Sequence, residues 1–432
     1  MNTLKTESLR LVKMPLWVYV ARAILSLVFL FSGFVKAVDP LGTAYKIGDY
    51  LTAFHMGGLL TDNVLTAVSM TLAMTEFLIG FCLIMGMYSR QSSFLALLVM
   101  ILFTPLALYV ALTNPVKDCG CFGDAVILTN SQTFWKNVVL LLCSILVFRK
   151  PHVWWNIVHR RLEWIVGSYA FVFLLVLESY CLWHLPVLDF RPYRVGVNVP
   201  EAMIVPEDAP QSVYETTFIM EKDGRQETFT LENYPDSTWT YKETVSKLIS
   251  KGYEPPIHDF ILTDMDGEDL TETVLDFPDY VFLVVMHRLE KADKGNVDLV
   301  NELYDYSQRY GYGFWALTSS PREQMEQWRD ETGAEYPFLE ADDITLKTVI
   351  RSNPGLVIIK DGTILQKCSD EDLPDEYVLT APMDELTIGT QAADHDFMTV
   401  ALLTLLLFGP VLLVTAFGLP FLGGRKKEQP VK

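Results

Sequence analysis

Residues 15–37 read PLWVYVARAILSLVFLFSGFVKA, a run of 23 residues in which Arg22 and Lys36 are the only charged side chains. A helix needs about 20 mostly apolar residues to cross a bilayer. The run therefore predicts a spanning helix. Five further segments have the same character, at 64–87, 91–112, 133–148, 162–185 and 396–422. Together they predict a polytopic α-helical membrane protein with six transmembrane helices, of which 133–148 is the shortest and is expected to pack inside the bundle.

Charge is divided sharply along the chain. The 432 residues carry a formal net charge of -19, yet residues 186–396 alone hold 43 acidic and 17 basic side chains. Nucleic-acid binding depends on basic groups that neutralise phosphates, so this acidic segment argues against a nucleic-acid partner. The rest of the chain holds 10 acidic and 17 basic residues and is strongly apolar. This composition indicates the lipid bilayer as its partner.

The bases of the apolar part predict how its helices are oriented. With the N-terminus in the cytoplasm, the cytoplasmic ends carry twelve bases, whereas the opposite ends carry four, residues 186–396 excluded. Cytoplasmic loops of membrane proteins are enriched in Lys and Arg. We therefore expect a multi-pass protein of a bacterial inner (plasma) membrane, with both termini cytoplasmic and residues 186–396 extracytoplasmic.

These assignments divide the chain into six parts. We expect a four-helix membrane bundle at 1–150, a fifth transmembrane helix with a basic lead-in at 151–185, an extracytoplasmic connecting region at 186–255, an α/β domain at 256–375, a linker at 376–395, and a sixth helix with a basic tail at 396–432. Within the connecting region, the pattern predicts a hairpin formed by 214–220 and 227–231, and a short helix inside 236–253.

Two of the six cysteines lie within three positions of each other, in the outer loop DCGCFGD at 118–124. Outside the cytoplasm, a cysteine pair can cycle between dithiol and disulfide. A disulfide across one residue bends the backbone tightly, which Gly120 permits because it lacks a Cβ. Disulfide geometry is demanding, so such a ring is expected to be strained and easy to reduce. Cys119 and Cys121 are therefore candidates for the catalytic pair of a thiol exchange.

Two plainer interpretations of this pair stay open. The cysteines can form a fixed disulfide that stiffens the loop, or half of a metal site. A structural zinc ion takes four ligands, and the sequence has no second Cys/His cluster, so no metal is predicted. Cys181, near the outer end of the fifth helix, and Cys368, in the outer domain, are candidates for a relay to the pair.

Charged side chains inside spanning helices need a reason, because burying a charge in a membrane is costly. Arg22 lies in the first helix and Glu76 near the middle of the second, antiparallel one. We expect the long Arg22 side chain to reach Glu76. This charge pair either tunes a buried cofactor or proton path, or fixes the register of the two helices. Glu178 in the fifth helix has no obvious partner and is expected to snorkel to the outer surface.

Residues 1–150 resemble the DoxX/MauE family of small four-helix membrane proteins, and most closely its methylamine-utilisation branch, MauE. The residues that carry the resemblance are Arg22, SGFVK at 32–36, Asp39, Pro40, Glu76, Gly80, Gly86, Arg90 and CGCFGD at 119–124. The family implies a membrane bundle linked to electron transfer or to extracytoplasmic disulfide formation. By analogy with other four-helix thiol oxidases, it implies a membrane quinone as electron acceptor. The spacing of the residues itself indicates no cofactor site.

Residues 256–375 alternate between predicted strands and helices. The continuous apolar run YVFLVVM at 280–286 is typical of a strand buried in the centre of a sheet. Helices are predicted at 294–310 and from 320 onward, the second with a capping box, and strands at 258–263, 313–318, 336–340, 355–360 and 363–368. This order resembles a thioredoxin-like domain of the TlpA/peroxiredoxin type, in which Pro354 matches the cis-proline position.

The resemblance fails at the residues that would do redox chemistry. A redox-active member has Cys-x-x-Cys directly after the first central strand, whereas this chain has MHRLEK at 286–291. The resemblance therefore implies a degenerate module that binds, positions or stabilises something else. A client thiol protein or another envelope partner is the expected binder.

Two functions follow from these patterns. The first is a membrane thiol–disulfide electron carrier, or disulfide-forming factor, that acts on the extracytoplasmic side and is linked to a quinone. Cys119 and Cys121 would be its redox pair, and the outer domain would bind the client. The second is a non-catalytic membrane scaffold or assembly factor whose outer domain binds an envelope partner. The paired cysteines favour the first function, and the missing Cys-x-x-Cys favours the second.

Overall fold

The computed structural model describes residues 15–423 apart from 117–118, 151–156, 211–212, 223–224, 231–232, 234, 237, 251 and 394. Within these residues, six helices are long and apolar enough to cross a membrane, which confirms the six predicted spans. The basic tails at 1–14 and 424–432 lie outside the described residues, as do the first residue of the cysteine loop and the predicted hairpin turn at 223–224.

The first part of the chain is a helical bundle. Its helices are α1 (Leu16–Val38), α2 (Pro40–Ala53), α3 (Asp62–Met85), α4 (Ser89–Thr113), α5 (Asn130–Arg149) and α6 (Glu163–Trp183). The predicted 133–148 span is thus a full helix of 20 residues. Thr129 precedes it, and the Thr129 hydroxyl and the Gln132 side chain form a capping box at its first turn.

Helices α1 and α3 run antiparallel and pack at very short range. A Cβ added to Gly33 would lie 2.7 Å from the Cα of Phe77, and one added to Gly80 would lie 2.5 Å from the backbone nitrogen of Leu30. Small residues let helix backbones approach closely inside membranes. The two glycines therefore determine which residues of α1 and α3 face each other.

Helix α2 is an element that the hydropathy pattern does not predict. It has 14 residues, fewer than a span needs, and follows α1 after the single residue Asp39. The Asp39 carboxylate caps it by accepting a hydrogen bond from the backbone nitrogen of Gly42 at 2.9 Å, and Pro40 occupies its first position. α2 packs against α3 beside the loop that carries the cysteines.

The connecting region contains structure of its own. It forms α7 (Val199–Met203) and the antiparallel strands β1 (Val213–Lys222), β2 (Arg225–Thr230) and β3 (Thr240–Ser250), in the order β2-β1-β3. The β1–β2 pair confirms the predicted hairpin. The predicted short helix inside 236–253 is wrong, because 240–250 is a strand. Its β-branched residues favour extended backbone, and β1 supplies its hydrogen-bond partners.

The outer α/β domain follows. Its elements are α8 (Thr271–Leu275), β4 (Val281–Val285), α9 (Val297–Tyr310), β5 (Gly313–Thr318), α10 (Arg322–Thr332), β6 (Phe338–Glu340), α11 (Asp343–Val349), β7 (Gly355–Lys360) and β8 (Thr363–Ser369). The sheet order is β6-β5-β4-β7-β8, with β5 parallel to β4 and with β7 and β8 forming an antiparallel hairpin. This topology confirms the thioredoxin-like fold. The Asn353–Pro354 peptide is cis, as the resemblance implied.

Strand β4 lies at the centre of the domain and is buried on both faces. Phe282 and Val284 pack with α9 and α10 on one side, whereas Val281 and Leu283 pack with α8 and α11 on the other. This two-sided burial explains the unbroken apolar run in the sequence.

Three details of the domain differ from the prediction. Residues 258–263 form no strand and make only isolated bridges from Thr263 to Asp269 and Glu340. The predicted capping box at the start of α10 is absent, because the Ser320 hydroxyl accepts a hydrogen bond from the backbone nitrogen of Leu289 instead. Helix α11 is additional.

After the domain, α12 (Asp396–Gly423) returns to the bundle, where the Tyr169 hydroxyl of α6 donates to the Leu406 carbonyl.

The close α1–α3 contact leads to a testable prediction. Gly33→Ala and Gly80→Ala should each destabilise the bundle by about 1–3 kcal/mol, because the added methyl overlaps backbone atoms that cannot move aside. Gly167→Ala in α6 is the matched control, since its added Cβ would lie 3.6 Å from the Met87 side chain, an ordinary contact. Thermal unfolding in detergent should show lower midpoints for the first two variants only. Equal midpoints for all three would contradict this account.

Candidate functional site

The two loop cysteines are in direct contact. Cys119 and Cys121 are partly buried, and their Sγ atoms lie 2.9 Å apart as free thiols. Gly120 between them has a φ of +65°, in the left-handed region that side chains with a Cβ rarely adopt. The turn that brings the sulfurs together therefore depends on the glycine, as the sequence indicated.

Two helices hold the cysteine loop through its carbonyl groups, and a third contacts the ring of Phe122. The Cys121 carbonyl accepts hydrogen bonds from the Lys36 ammonium of α1 at 2.9 Å and from the Ser32 hydroxyl at 2.7 Å. The Tyr50 hydroxyl of α2 donates to the Cys119 carbonyl at 3.1 Å. On the α5 side, the Lys136 ammonium lies 4.2 Å from the ring centre of Phe122, the next residue of the loop. The bundle therefore fixes the backbone on both sides of Gly120.

The buried ion pair of the bundle joins Lys36 to Glu76. Lys36 Nζ lies 2.5 Å from Glu76 Oε2, which also accepts a hydrogen bond from the Ser32 hydroxyl at 2.7 Å. Both charged side chains are about nine-tenths buried, and a buried charge is tolerated only when it is paired. The pair lies directly beneath Cys121. Lys36 follows Ser32 by four residues, a spacing that places both on one face of α1 and that could have identified the site.

The predicted Arg22–Glu76 pair is therefore wrong. Arg22 Nε donates to the Leu83 carbonyl of α3 at 2.6 Å. Fourteen residues separate Arg22 from Lys36 on α1, which corresponds to about 21 Å along a helix axis. The glycine contacts pair Gly33 with Phe77 and Leu30 with Gly80, so Glu76 lies near the Lys36 end of α1 and far from Arg22. The interhelical register thus decides which base meets the carboxylate.

An apolar cavity of about 480 Å³ lies beside the cysteine loop. Its walls come from α1 to α5 and include Phe29, Ile47, Leu72, Phe103 and Leu140. Its polar lining includes Ser32, Lys36, Lys46, Glu76, Lys136 and both loop cysteines. An apolar cavity with a few polar side chains is the usual form of a small-molecule site. Two of its lining residues, Met56 and Val68, are 44% and 43% exposed.

The two thiols differ in acidity. The hydrogen bond from the Cys119 thiol lowers the pKa of Cys121 to about 6 against the opposing effect of burial, and the Lys136 and Lys36 ammonium groups lower it further. The same hydrogen bond, together with burial, raises the pKa of Cys119 well above that of a free thiol. The pair therefore shares one proton, held by Cys119, with the thiolate on Cys121.

The other candidates lie away from this site. Cys181 is buried in α6, and Cys368 lies in β8, where burial raises the pKa of its thiol to about 11. In the described part of the chain, neither sulfur contacts Cys119 or Cys121. Glu178 is fully buried, so the predicted snorkelling is wrong. Its carboxylate oxygens have no hydrogen-bond partner among the described residues.

The outer domain contacts the bundle through the end of its sheet where a redox-active thioredoxin carries its cysteines. His287, directly after β4, lies edge-on to the ring of Tyr45 in α2, with ring centres 6.5 Å apart. Burial lowers the pKa of His287 to about 4, so the imidazole is neutral at pH 7. Lys291 forms an ion pair of 2.5 Å with Asp62 at the start of α3.

Arg351, just before the cis peptide, makes the most buried of these contacts. Its guanidinium forms ion pairs of 2.9 Å with Asp39 and 3.1 Å with Asp124. Asp39 caps α2, and Asp124 is the last residue of the CGCFGD loop. The arginine side chain is 7% exposed. The outer domain therefore contacts both helix α2 and the cysteine loop.

Two parts of the chain match family models. Residues 14–149 match the family model described as Methylamine utilisation protein MauE, which confirms the resemblance to MauE. Residues 214–251, which hold β1 to β3, match a model described as a domain of unknown function, DUF8463. No curated protein matches the chain.

Several solved structures are similar to part of the chain. A protein described as a thioredoxin from Neisseria meningitidis is 16% identical, with 32% of this chain and 93% of that chain covered and a TM-score of 0.25. One described as a protein disulfide isomerase from Bacteroides thetaiotaomicron is 17% identical, with 33% and 91% covered and a TM-score of 0.22. A thioredoxin-like protein from Porphyromonas gingivalis is 15% identical, with 29% and 86% covered and a TM-score of 0.23.

The lowered pKa of Cys121 leads to a testable prediction. Its folded pKa of about 6 lies below the ordinary thiol value of 9.0, so the reactive thiolate is present above pH 6 and is lost as the pH falls through 6. The alkylation rate of Cys121, followed by mass spectrometry of its peptide, should therefore reach half its maximum near pH 6. In Cys119→Ala, which removes the thiol donor, the midpoint should move up toward 9.

Cys368→Ser serves as the matched control, because this thiol makes no contact with the pair, and the midpoint should then stay near pH 6. A Cys121 midpoint that is the same with and without Cys119 would contradict the shared-proton arrangement.

Proposed function

We propose that this protein is a membrane thiol–disulfide electron carrier in which Cys119 and Cys121 are the redox pair and a lipid-soluble quinone is the electron acceptor. One observation carries the proposal: two contacting sulfurs line an apolar cavity walled by five helices. A quinone ring suits apolar walls with a few polar groups, and the exposed lining residue Val68 of the spanning helix α3 suits a ligand that arrives from the bilayer. The match to MauE supports a role in the membrane.

The pair transfers two electrons and one proton, because it holds one thiol and one thiolate. As the bond between Cys119 and Cys121 forms, the quinone accepts both electrons, this proton and one proton from solvent, and leaves as a quinol. The disulfide is then reduced by the two thiols of an extracytoplasmic client, which becomes oxidised in turn. Atoms and electrons balance without a further reactant, so the protein cycles between the client and the quinone pool.

The unequal acidity of the cysteines assigns them different roles. A client thiolate attacks the sulfur whose partner is the better leaving group, and the thiol of lower pKa leaves faster. Cys121 is that thiol. The client therefore forms its mixed disulfide with Cys119, and Cys121 is released as a thiolate close to the Lys36 and Lys136 ammonium groups.

The Lys36–Glu76 pair takes the supporting role that the sequence suggested for Arg22 and Glu76. Both side chains line the cavity, and Lys36 also holds the Cys121 carbonyl. An ammonium group at this position can donate to a carbonyl oxygen of a bound acceptor. Glu76 keeps this charge paired in the apolar surroundings.

The outer domain is proposed to bind the client. An open groove of about 610 Å³ lies where β4, β5 and β6 end, and its lining includes Arg288, Gln324, Glu340 and Asp342. Ligands of α/β sheets commonly bind at the carboxyl ends of the strands. The acidic balance of this domain favours a client with basic residues near its thiols.

We further propose that the protein lies in a bacterial inner membrane with the outer domain on the extracytoplasmic side. In a variant without native cysteines, Thr238→Cys should react with an impermeant maleimide in intact cells, whereas Arg160→Cys should react only after lysis. Both positions are exposed, and they lie in the outer region and in the basic segment before α6, respectively. The reverse labelling pattern would contradict the proposed orientation.

The redox proposal predicts direct oxidation of the pair. The full-length protein, reduced and purified without oxygen, should lose two thiols for each short-chain quinone reduced to quinol, measured by thiol labelling and ultraviolet absorbance. Cys119→Ser and Cys121→Ser should each abolish the reaction. Cys143→Ser is the matched control, because this thiol lies in α5 and does not line the cavity, and it should react as the native chain does.

If the native thiols keep one redox state throughout, the electron-carrier proposal fails. A cell that tolerates the double cysteine variant but not the loss of residues 256–375 would instead favour the scaffold function. The absence of Cys-x-x-Cys after β4 is the observation that supports this second function.

A further inference from the structure

One side chain of the outer domain contacts two separate parts of the proposed redox site. Arg351 Nε lies 3.1 and 3.0 Å from the two Asp39 carboxylate oxygens, and Nη2 lies 3.1 Å from Asp124 Oδ2. The third nitrogen, Nη1, donates to the Lys347 carbonyl of α11 at 2.5 Å. The guanidinium is thus held by its own domain and pairs with two acids of the bundle.

The contact is closely packed as well as charged. A Cβ added to Gly42 of α2 would lie 2.7 Å from Arg351 Nη2 and 2.3 Å from Asp39 Oδ2. The Tyr45 ring lies on another side, with its centre 5.6 Å from the guanidinium carbon. The planar guanidinium reaches the two carboxylates from separate nitrogens in a fixed geometry, which the single nitrogen of a Lys ammonium does not offer.

Arg351 also opposes the effect of burial on both neighbouring acids. Burial would raise the pKa of Asp39, but the Arg351 charge and hydrogen bonds hold it below its usual range. Burial raises the pKa of Asp124, and Arg351 opposes that rise. Without the guanidinium, two neighbouring carboxylates would be left to repel each other. The start of α2 and the end of the cysteine loop would then be pushed apart.

One of these segments contains the cysteines, and the other contacts them. Asp124 follows Cys121 by three residues, and α2 carries Tyr50, which donates to the Cys119 carbonyl. α2 also forms part of the cavity wall through Thr43 and Ile47. A displacement between α2 and the loop would therefore change how the sulfurs meet each other and the cavity.

We propose that Arg351 is a positioning residue of the thiol exchange: from the outer domain, it holds helix α2 and the CGCFGD loop in the one arrangement that brings Cys119 and Cys121 together beside the cavity. This inference rests on the proposed redox function. It assigns the thioredoxin-like domain a part in the reaction that requires no cysteine of its own.

Arg351→Met tests this role in the full-length protein embedded in lipid nanodiscs. Oxidation of the pair by a short-chain quinone should slow by about tenfold, because small displacements of reacting groups cost rate on this scale. The equilibrium between the pair and a glutathione buffer should also shift about tenfold toward the dithiol, because the two sulfurs are no longer held close together before the Cys119–Cys121 disulfide forms. Arg351→Lys keeps the positive charge but lacks the planar guanidinium. It should recover part of the lost oxidation rate and part of the shift in the glutathione equilibrium.

Lys291→Met is the matched control. Lys291 also pairs an outer-domain base with a bundle acid, Asp62, but this pair is exposed and contacts neither the loop nor α2. Exposed ion pairs contribute little to stability. Both the quinone rate and the glutathione equilibrium of Lys291→Met should therefore match those of the native chain. A loss equal to that of Arg351→Met would show that the effect comes from domain attachment alone and would overturn the proposal.

Gly42→Ala perturbs the same contact without changing any charge. Its methyl group would enter the space between Arg351 and Asp39, so the rate and the equilibrium should shift in the same direction as in Arg351→Met. Gly48→Ala, in the same helix, would meet only a Leu65 methyl at 3.7 Å and should behave as the native chain does. If Arg351→Met does not accumulate in the membrane, the two glycine variants decide the question.

The outcomes separate the inference from the function on which it rests. If the native pair is not oxidised by the quinone, the electron-carrier proposal fails, and the glutathione equilibrium still tests Arg351. If the native pair is oxidised, and both Arg351→Met and Gly42→Ala retain the native rate and equilibrium, the inference about Arg351 is overturned and the electron-carrier proposal stands.

Discussion

The buried ion pair between Lys36 and Glu76 is the interaction on which the rest of the site depends. Lys36 Nζ contacts the Glu76 carboxylate, the Ser32 hydroxyl and the Cys121 carbonyl at once. Removing one partner of such a pair leaves an uncompensated charge in apolar surroundings, at a cost of about 3–5 kcal/mol. The pair therefore ties the register of α1 and α3 to the position of the cysteine loop. The loop in turn forms one side of the cavity.

The outer domain meets this site from the other side. It has a thioredoxin-like sheet and a cis peptide, but it has MHRLEK where a redox-active thioredoxin carries two cysteines. The end of the central strand β4 faces α2, where His287 contacts Tyr45. Arg351 contacts the start of α2 and the end of the loop. The two parts of the protein are therefore complementary. The bundle holds the sulfurs and the cavity, and the domain lies against the helix and the loop that surround them.

The elements that sequence reasoning predicted are those with strong local signals. Six long apolar runs and the two-sided apolar strand β4 are examples, because lipid and a sheet centre both require continuous apolar side chains. The elements it missed have weak local signals. Helix α2 is short and mixed in polarity, and α11 has 7 residues. Strand β3 lies within 236–253, where the pattern predicts a short helix although the β-branched residues favour a strand. Their conformations depend on partners elsewhere in the chain.

The sequence by itself determined the spanning helices, the thioredoxin-like order of elements and the separation of Cys119 and Cys121 by a single glycine, which permits the tight turn between them. Only the tertiary structure decided the partner of Glu76, the burial of Glu178, the cavity and the double contact of Arg351. These features join residues that are 40 to 312 positions apart. Such contacts follow from helix register and domain docking, which depend on shape and charge together. They therefore cannot be recognised from a local pattern of side chains.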